Sequence, residues 1–317
     1  MSRALWANLL LVLAVNAGSM QGQTPTFRSD VNLVNVTFSV RDSTGKLVSD
    51  LAQESIQVLE DGAPQGIRYY GRTADLPLAI GLVVDVSDSQ GSFYKKHHQH
   101  VEQFLKDVLG PQDRAFLVCF GNRIRLVSDM TNSVPQIMDA YSHFDNEKKS
   151  DFPELGPPEI REDGTAFFDS VVYSVRERLA KSDHTRKALI VFSDGEDNSS
   201  AYDLIDAIET AQAEDVLVYS IRYTGQKRGR LTARNKYGIR AMKRMARDTG
   251  AADFDASGGT DLDQTFHDIG AELRSLYEVA YHANKPARDG TFRKIEVRAV
   301  DRPGLVIRAR AGYFSQQ

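Results

Sequence analysis

The sequence predicts an α/β fold: a doubly wound, mostly parallel sheet inserted into a small β-sandwich-like domain formed by both termini. Three observations predict it. Apolar runs alternate with helix-like segments through the middle of the chain, which implies a parallel sheet flanked by helices. Two of these runs, Gly81-Leu-Val-Val-Asp85 and Ala188-Leu-Ile-Val-Phe-Ser193-Asp194-Gly195, are apolar almost throughout and stop at an acid, as buried strands opening into a loop do. Both ends of the chain carry short alternating strands, and neither end is large enough to bury a core alone.

The elements follow in order. Arg3, an apolar run from Ala4 to Val15 and small or polar residues from Ala17 to Gln23 match a secretory signal peptide over residues 1–22. A membrane anchor is the competing reading, but the run falls well short of the ~20 apolar residues a span needs. No later segment is a candidate span, so none is expected after signal cleavage. Residues 31–40 alternate as a strand with one wet face. Strands at 56–60 and 66–70, with turns at Asp42-Ser-Thr-Gly45 and Asp61-Gly62, complete the N-terminal part of the β-domain, 27–73.

The inserted domain is placed at 75–276. Its strand ending at Asp85 leads to a helix over 92–109, strands at 113–120 and 123–128, and a helix over 134–144. A helix from Thr165, a strand at 187–193, a helix over 201–214, a strand at 216–221 and a helix over 238–249 come next. A short strand near 252–254 and a helix over 262–276 close it. Strands at 277–282, 292–298 and 305–310 form the C-terminal part of the β-domain, 277–317. Two independent β appendages would account for the same pattern.

Composition narrows the function. A formal net charge of −4 argues against general nucleic-acid binding. Cys119 is the only cysteine, so no internal disulfide forms, and its place in Ala115-Phe-Leu-Val-Cys-Phe120 is that of a small core residue. No cysteine near the leader offers a lipid anchor. The expected product is soluble and exported, secreted or periplasmic, with no oligomeric state defined by the sequence.

Asp85, Ser87 and Ser89 lie at the carboxyl end of a strand, where open α/β sheets place their ligands. One carboxylate and two neutral hydroxyls make a hard oxygen cluster of little charge, suited to Mg²⁺ and leaving room for an anionic ligand. Thr165 at a helix start and Asp194 at the end of a second buried strand extend the set. Each residue alone is accounted for as a helix cap; the five in this order are not.

Together, Asp85-x-Ser87-x-Ser89, Thr165 and Asp194 resemble the metal-ion-dependent adhesion site (MIDAS) of the von Willebrand factor type A (VWFA) domain. The resemblance implies that Ser87, Ser89 and Thr165 touch the metal while Asp85 and Asp194 act mostly through water. Asp88 and Gln90 stand where the family often has small and apolar residues, and Asp88 adds negative charge that favours Ca²⁺. The flanking pieces Asn32-Leu-Val-Asn-Val-Thr-Phe-Ser-Val-Arg-Asp, Val58-Leu-Glu-Asp-Gly, Arg293-Lys-Ile-Glu-Val and Gly312-Tyr-Phe are similar to those of bacterial exported "VWFA-related domain" proteins.

Two classes of function follow. In one, an exported, non-enzymatic module uses Mg²⁺, with Mn²⁺ or Ca²⁺ as alternatives, to grip an exposed Asp or Glu of a protein partner in adhesion or assembly. In the other, the metal site is vestigial and the β-domain of a scaffold makes the contacts. Catalytic residues are not expected. Phosphatases with a nucleophilic aspartate need a second acid where Ser87 stands, and no Gly-x-Ser-x-Gly or His-Glu-x-x-His string occurs. His97 and His100 share a helix face with room for one metal, against a solvated face carrying His98 as well. Asp169, Glu196 and Asp197 read as surface acids near the site. Residues 145–163 lead into Thr165 and are expected near the metal face. Residues 223–236, with Lys227, Arg228, Arg230, Arg234 and Lys236, are either a cationic rim favouring acidic partners or a solvated loop.

Overall fold

The structure, a computed structural model, describes residues 33–74, 76–146, 149–157, 163–184, 186–225, 230–257, 260–284 and 289–315. The leader-like segment lies outside the described residues. Among the described residues, no helix is long and apolar enough to cross a membrane.

The chain opens with β1 (Leu33–Arg41), β2 (Ile56–Glu60), β3 (Ala63–Gln65) and β4 (Ile67–Arg72). It continues through β5 (Leu78–Asp85), α1 (Tyr94–Val108), β6 (Arg114–Phe120), β7 (Ile124–Thr131), α2 (Val134–Asn146) and α3 (Phe167–Ser174). After these come β8 (Arg186–Ser193), α4 (Leu204–Ala213), β9 (Val216–Arg222), α5 (Ala233–Thr249), β10 (Asp253–Asp255) and α6 (Leu262–Leu273). The last strands are β11 (Tyr277–His282), β12 (Phe292–Ala299), β13 (Val306–Ala309) and β14 (Gly312–Phe314).

The six-stranded sheet has the order β10-β9-β8-β5-β6-β7. Only the edge pair β6–β7 is antiparallel. The first strand of this sheet, β5, lies between β6, which follows it, and β8, which comes after a crossover. The order therefore reverses between β5 and β8, and that crevice is the switch point at which doubly wound sheets bind ligands. All eight residues of β5 are buried. Leu78, Ile80, Leu82 and Val84 face α1, α2 and α6, whereas Ala79 and Val83 face α3, α4 and α5. Gly81 belongs to the second face, where a β-carbon would lie 2.4 Å from the Phe116 ring and 2.5 Å from Leu189. A bare backbone is required there because the Phe116 and Leu189 side chains of the adjacent strands β6 and β8 fill the space a β-carbon would take.

The flanking strands form two four-stranded sheets, β13-β1-β11-β4 and β14-β12-β2-β3, each taking strands from both ends of the described chain. Alternate residues of β1, namely Val34, Val36, Phe38 and Val40, enter a shared core with Tyr277, Val279, Ile295 and Val297. This sandwich joins the amino pole of the central sheet. Glu272 of α6 is almost wholly buried and meets Arg41 at 2.7 Å, Arg308 at 2.9 Å and the Tyr219 hydroxyl at 3.0 Å. Arg310 donates to the Gln212 carbonyl at 2.9 Å and pairs with Asp215 at 3.2 Å.

Several boundaries differ from the sequence reading. Helix α5 begins at Ala233, not 238, because the Thr232 hydroxyl accepts from Asn235 N–H while the Asn235 side chain accepts from Thr232 N–H. Arg234 and Lys236 are therefore on a helix and not in a loop; Lys227 and Arg228 lie outside the described residues. Helix α3 begins at Phe167, two residues after Thr165. Of the segment 145–163, residues 153–155 run along β7, with Leu126 N–H donating to Pro153 O at 2.8 Å and Leu155 N–H to Ile124 O at 3.0 Å. Strands β3 and β14 are too short to carry a readable alternation.

Two substitutions test this packing by denaturant unfolding. Glu272→Ala leaves two arginines facing each other and should cost about 3 kcal/mol, the lower end for breaking a buried pair; a loss under about 1 kcal/mol would show the pairs to be dispensable. At Gly238 of α5 a β-carbon would lie 2.3 Å from the Asp194 carbonyl oxygen. Gly238→Ala should cost about 1–3 kcal/mol, and wild-type stability would mean that α5 and the 194–196 loop separate freely.

Candidate metal centre

Strand register brings the site residues together. Val84 of β5 lies opposite Phe192 of β8, so Asp85 emerges beside Ser193. Asp85 is fully buried. Its Oδ1 accepts from Ser87 N–H at 2.9 Å, and its Oδ2 accepts from the Ser193 hydroxyl at 2.6 Å. Burial, and then the negative charge of Asp194, raise its carboxyl pKa to about 7. Asp194 is 2% exposed. Its Oδ1 accepts from Glu196 N–H at 2.9 Å, while Oδ2 accepts from the Ser89 hydroxyl at 2.9 Å and the Gln90 amide at 2.7 Å. Ser87 and Ser89 sit on a turn closed by Gln90 N–H donating to Ser87 O at 2.9 Å, with their hydroxyl oxygens 3.2 Å apart. Ser89 is exposed, so this pair forms the open rim over two buried acids.

Thr165 reaches the cluster through the backbone. Ala166 N–H donates to Gly121 O at 2.8 Å, and Gly121 lies against Ser87 so closely that a β-carbon on it would be 3.8 Å from Ser87 Cα. Thr165 N–H donates to Asn198 Oδ1 at 2.7 Å, and its carbonyl accepts from Asn198 N–H at 3.2 Å and Ser199 N–H at 3.3 Å. Gly164, with φ +112°, allows the chain to turn under Asn198, where a β-carbon would lie 2.6 Å from Oδ1. Thus Asp85, Ser87, Ser89 and Asp194 share one hydrogen-bonded cluster, and Thr165 stands beside it.

Residues that sequence reasoning did not place hold this arrangement. Ser193 links the two strand ends: its hydroxyl donates to Asp85 and accepts from Gly195 N–H at 2.9 Å. Ala166 has no side chain able to cap α3, so Asp197 does it from the neighbouring loop, accepting from Phe167 N–H at 2.9 Å. Asp169 is not a surface acid; it is fully buried and accepts from Ala201 N–H at 3.1 Å and Tyr202 N–H at 2.9 Å. The hydroxyl preceding Asp194 was the one readable signal, since the other contacts are remote in sequence.

The histidines are also redistributed. His97 is fully buried, edge-on to Tyr223 with centroids 4.3 Å apart, and burial lowers its pKa to about 3. His100 Nδ1 bonds the Tyr223 hydroxyl, and His98 stacks on Tyr141 at 4.7 Å. His97 and His100 pack α1 against Tyr223 at the end of β9 and His98 packs it against α2, so only His97 is fully buried and the other two are partly exposed.

The donor set fits a hard divalent cation. Two buried like charges are offset here only by hydroxyl and amide donors, and the exposed ligand candidates are neutral oxygens. Among the described residues, no group of three or more His, Cys, Asp or Glu forms a metal-holding cluster. The five residues here are two carboxylates and three hydroxyls, a different kind of set.

No protein-family model matches the chain, and no curated protein matches it. Among solved structures, it is similar to an aerotolerance-related membrane protein from Bacteroides fragilis NCTC 9343 carrying multiple mutations to serines. The identity is 13%, over 62% of this chain and 98% of that one, with a TM-score of 0.45. Proximal thread matrix protein 1 from the mussel byssus, with a zinc-occupied MIDAS motif, is 17% identical over 68% of this chain and 50% of its own, TM-score 0.47. A von Willebrand factor type A protein from Catenulispora acidiphila is 12% identical over 92% and 76%, TM-score 0.46. The chain's own mostly parallel strand order agrees with the fold that the von Willebrand factor type A resemblance implies.

Proposed function

We propose that the chain is an exported binding module whose central domain, 75–276, holds a divalent cation and presents it to a carboxylate of a protein partner. Mg²⁺ is the preferred ion, with Mn²⁺ and Ca²⁺ as alternatives. Ser87, Ser89 and Thr165 would hold it directly, with Asp85 and Asp194 orienting water and hydroxyls around it. The observation that carries this reading is the placement of two buried acids beneath two rim hydroxyls at the switch point of the sheet. Neutral ligands leave the ion electrophilic, so an Asp or Glu from a partner would meet an incompletely neutralised charge. The flanking sheets, β13-β1-β11-β4 and β14-β12-β2-β3, join the opposite pole of the central sheet. Secretion or periplasmic location, and a role in adhesion or assembly, belong to the same proposal.

A second reading has an observation of its own. The four clustered residues already satisfy one another by hydrogen bonds, as a structural site without a cation would. A thermal melt of the mature protein in EDTA and in Mg²⁺, Mn²⁺ or Ca²⁺ separates the two. Metal at about 100 times its dissociation constant should add about 2.7 kcal/mol, a rise of roughly 5–10 °C. Asp85→Asn removes one of two like charges yet keeps an acceptor for Ser87 N–H. Its metal-free stability should stay within about 1 kcal/mol of wild type, and its metal response should vanish. An equal response in both proteins, or none in either at millimolar metal, favours the scaffold.

A further inference from the structure

Gln90 follows the last serine of the motif and is 1% exposed. Its Nε2 donates to Asp194 Oδ2 at 2.7 Å and to the Tyr223 carbonyl at 3.3 Å. The reverse amide orientation would set Oε1 against a carboxylate and a carbonyl, so the donor must face Asp194. Both anchors are fixed. Tyr223 N–H donates to Ser193 O at 2.9 Å, and the Tyr223 ring is boxed by His97, Phe93 and His100 at centroid distances of 4.3, 5.6 and 5.8 Å. Asp194 is thereby tied to the carboxyl ends of β8 and β9 and to the turn carrying Ser87 and Ser89.

The cost of this arrangement is visible: Gln90 Oε1 is buried without a hydrogen-bond partner. An apolar side chain of similar size would fill the same space without the orphan amide oxygen, but would withdraw a donor from Asp194 and from the Tyr223 carbonyl. What the amide adds is a donor without charge. A lysine or arginine here would hold Asp194 as well, but its positive charge would oppose a cation next to it.

We propose that Gln90 is a positioning residue of the metal centre: it orients the Asp194 carboxylate under the cation while leaving that acid's full charge available to it. The inference rests on the metal reading above and names a residue that reading does not use. Outer groups that orient metal-site carboxylates typically change affinity 10–100-fold when replaced.

The test is a calorimetric titration of wild type and Gln90→Met with Mn²⁺, with metal-free melting midpoints measured alongside. Gln90→Met should bind Mn²⁺ about tenfold more weakly, with a metal-free midpoint that falls modestly because Asp194 and the Tyr223 carbonyl each lose a donor. Gln90→Leu provides the same comparison if the methionine variant does not fold. Equal Mn²⁺ affinity in variant and wild type would overturn this inference alone, whether or not the metal-free midpoint falls, since a purely structural amide alters only the midpoint. No Mn²⁺ binding by wild type would overturn the metal reading, and this inference with it.

Discussion

Two carboxylates buried side by side at the ends of adjacent strands are the constraint around which this fold is arranged. Asp85 and Asp194 are both nearly inaccessible, and burial beside Asp194 raises the carboxyl pKa of Asp85. The surrounding chain answers with donors: Ser193 spans the two strand ends, Ser89 and Gln90 approach from the turn after β5, and backbone N–H groups of Ser87 and Glu196 complete the shells. No cationic side chain donates to either acid among these contacts. Such a site keeps its acids in place while leaving their negative charge uncompensated, which is the condition a bound cation would relieve.

That constraint reaches into the packing. The acids can sit in the crevice only if β5 lies between β6 and β8, and β5 can lie there only if it is apolar on both faces and bare at Gly81. The helix α5 must approach Asp194 within backbone contact, which Gly195 and Gly238 permit, each lacking the β-carbon that would collide with the other's chain. At the opposite pole Glu272 and Arg310 fasten the sandwich to the central sheet. The two ends of the sheet are thus divided: one holds the flanking sheets, and the other holds the candidate site.

Much of this was legible in the sequence, for identifiable reasons. Strands buried on both faces write themselves as unbroken apolar runs, so β5 and β8, and the acids at their ends, were readable directly. The alternation in β1 likewise marked a half-buried strand. What could not be read depends on contacts between distant residues. Asp169 looked like a surface acid because nothing local records that the 201–202 backbone closes over it. His97 looked solvated because its apolar box is assembled from Phe93 and from Tyr223, 126 positions further on. The early start of α5 was recoverable, since Thr232 and Asn235 have capping-box spacing, but Asn in place of Glu or Gln masked it. The role of Gln90 is invisible without Asp194 and Tyr223 beside it.

The central claim, that the hydroxyl rim over the paired acids holds a divalent cation, is tested most directly by anomalous diffraction from crystals of the mature protein soaked in Mn²⁺. The account predicts one strong anomalous peak within coordination distance of the hydroxyls of Ser87, Ser89 and Thr165, with Asp85 and Asp194 reaching it through water. A featureless map at that pole, or a peak only elsewhere on the molecule, would contradict it.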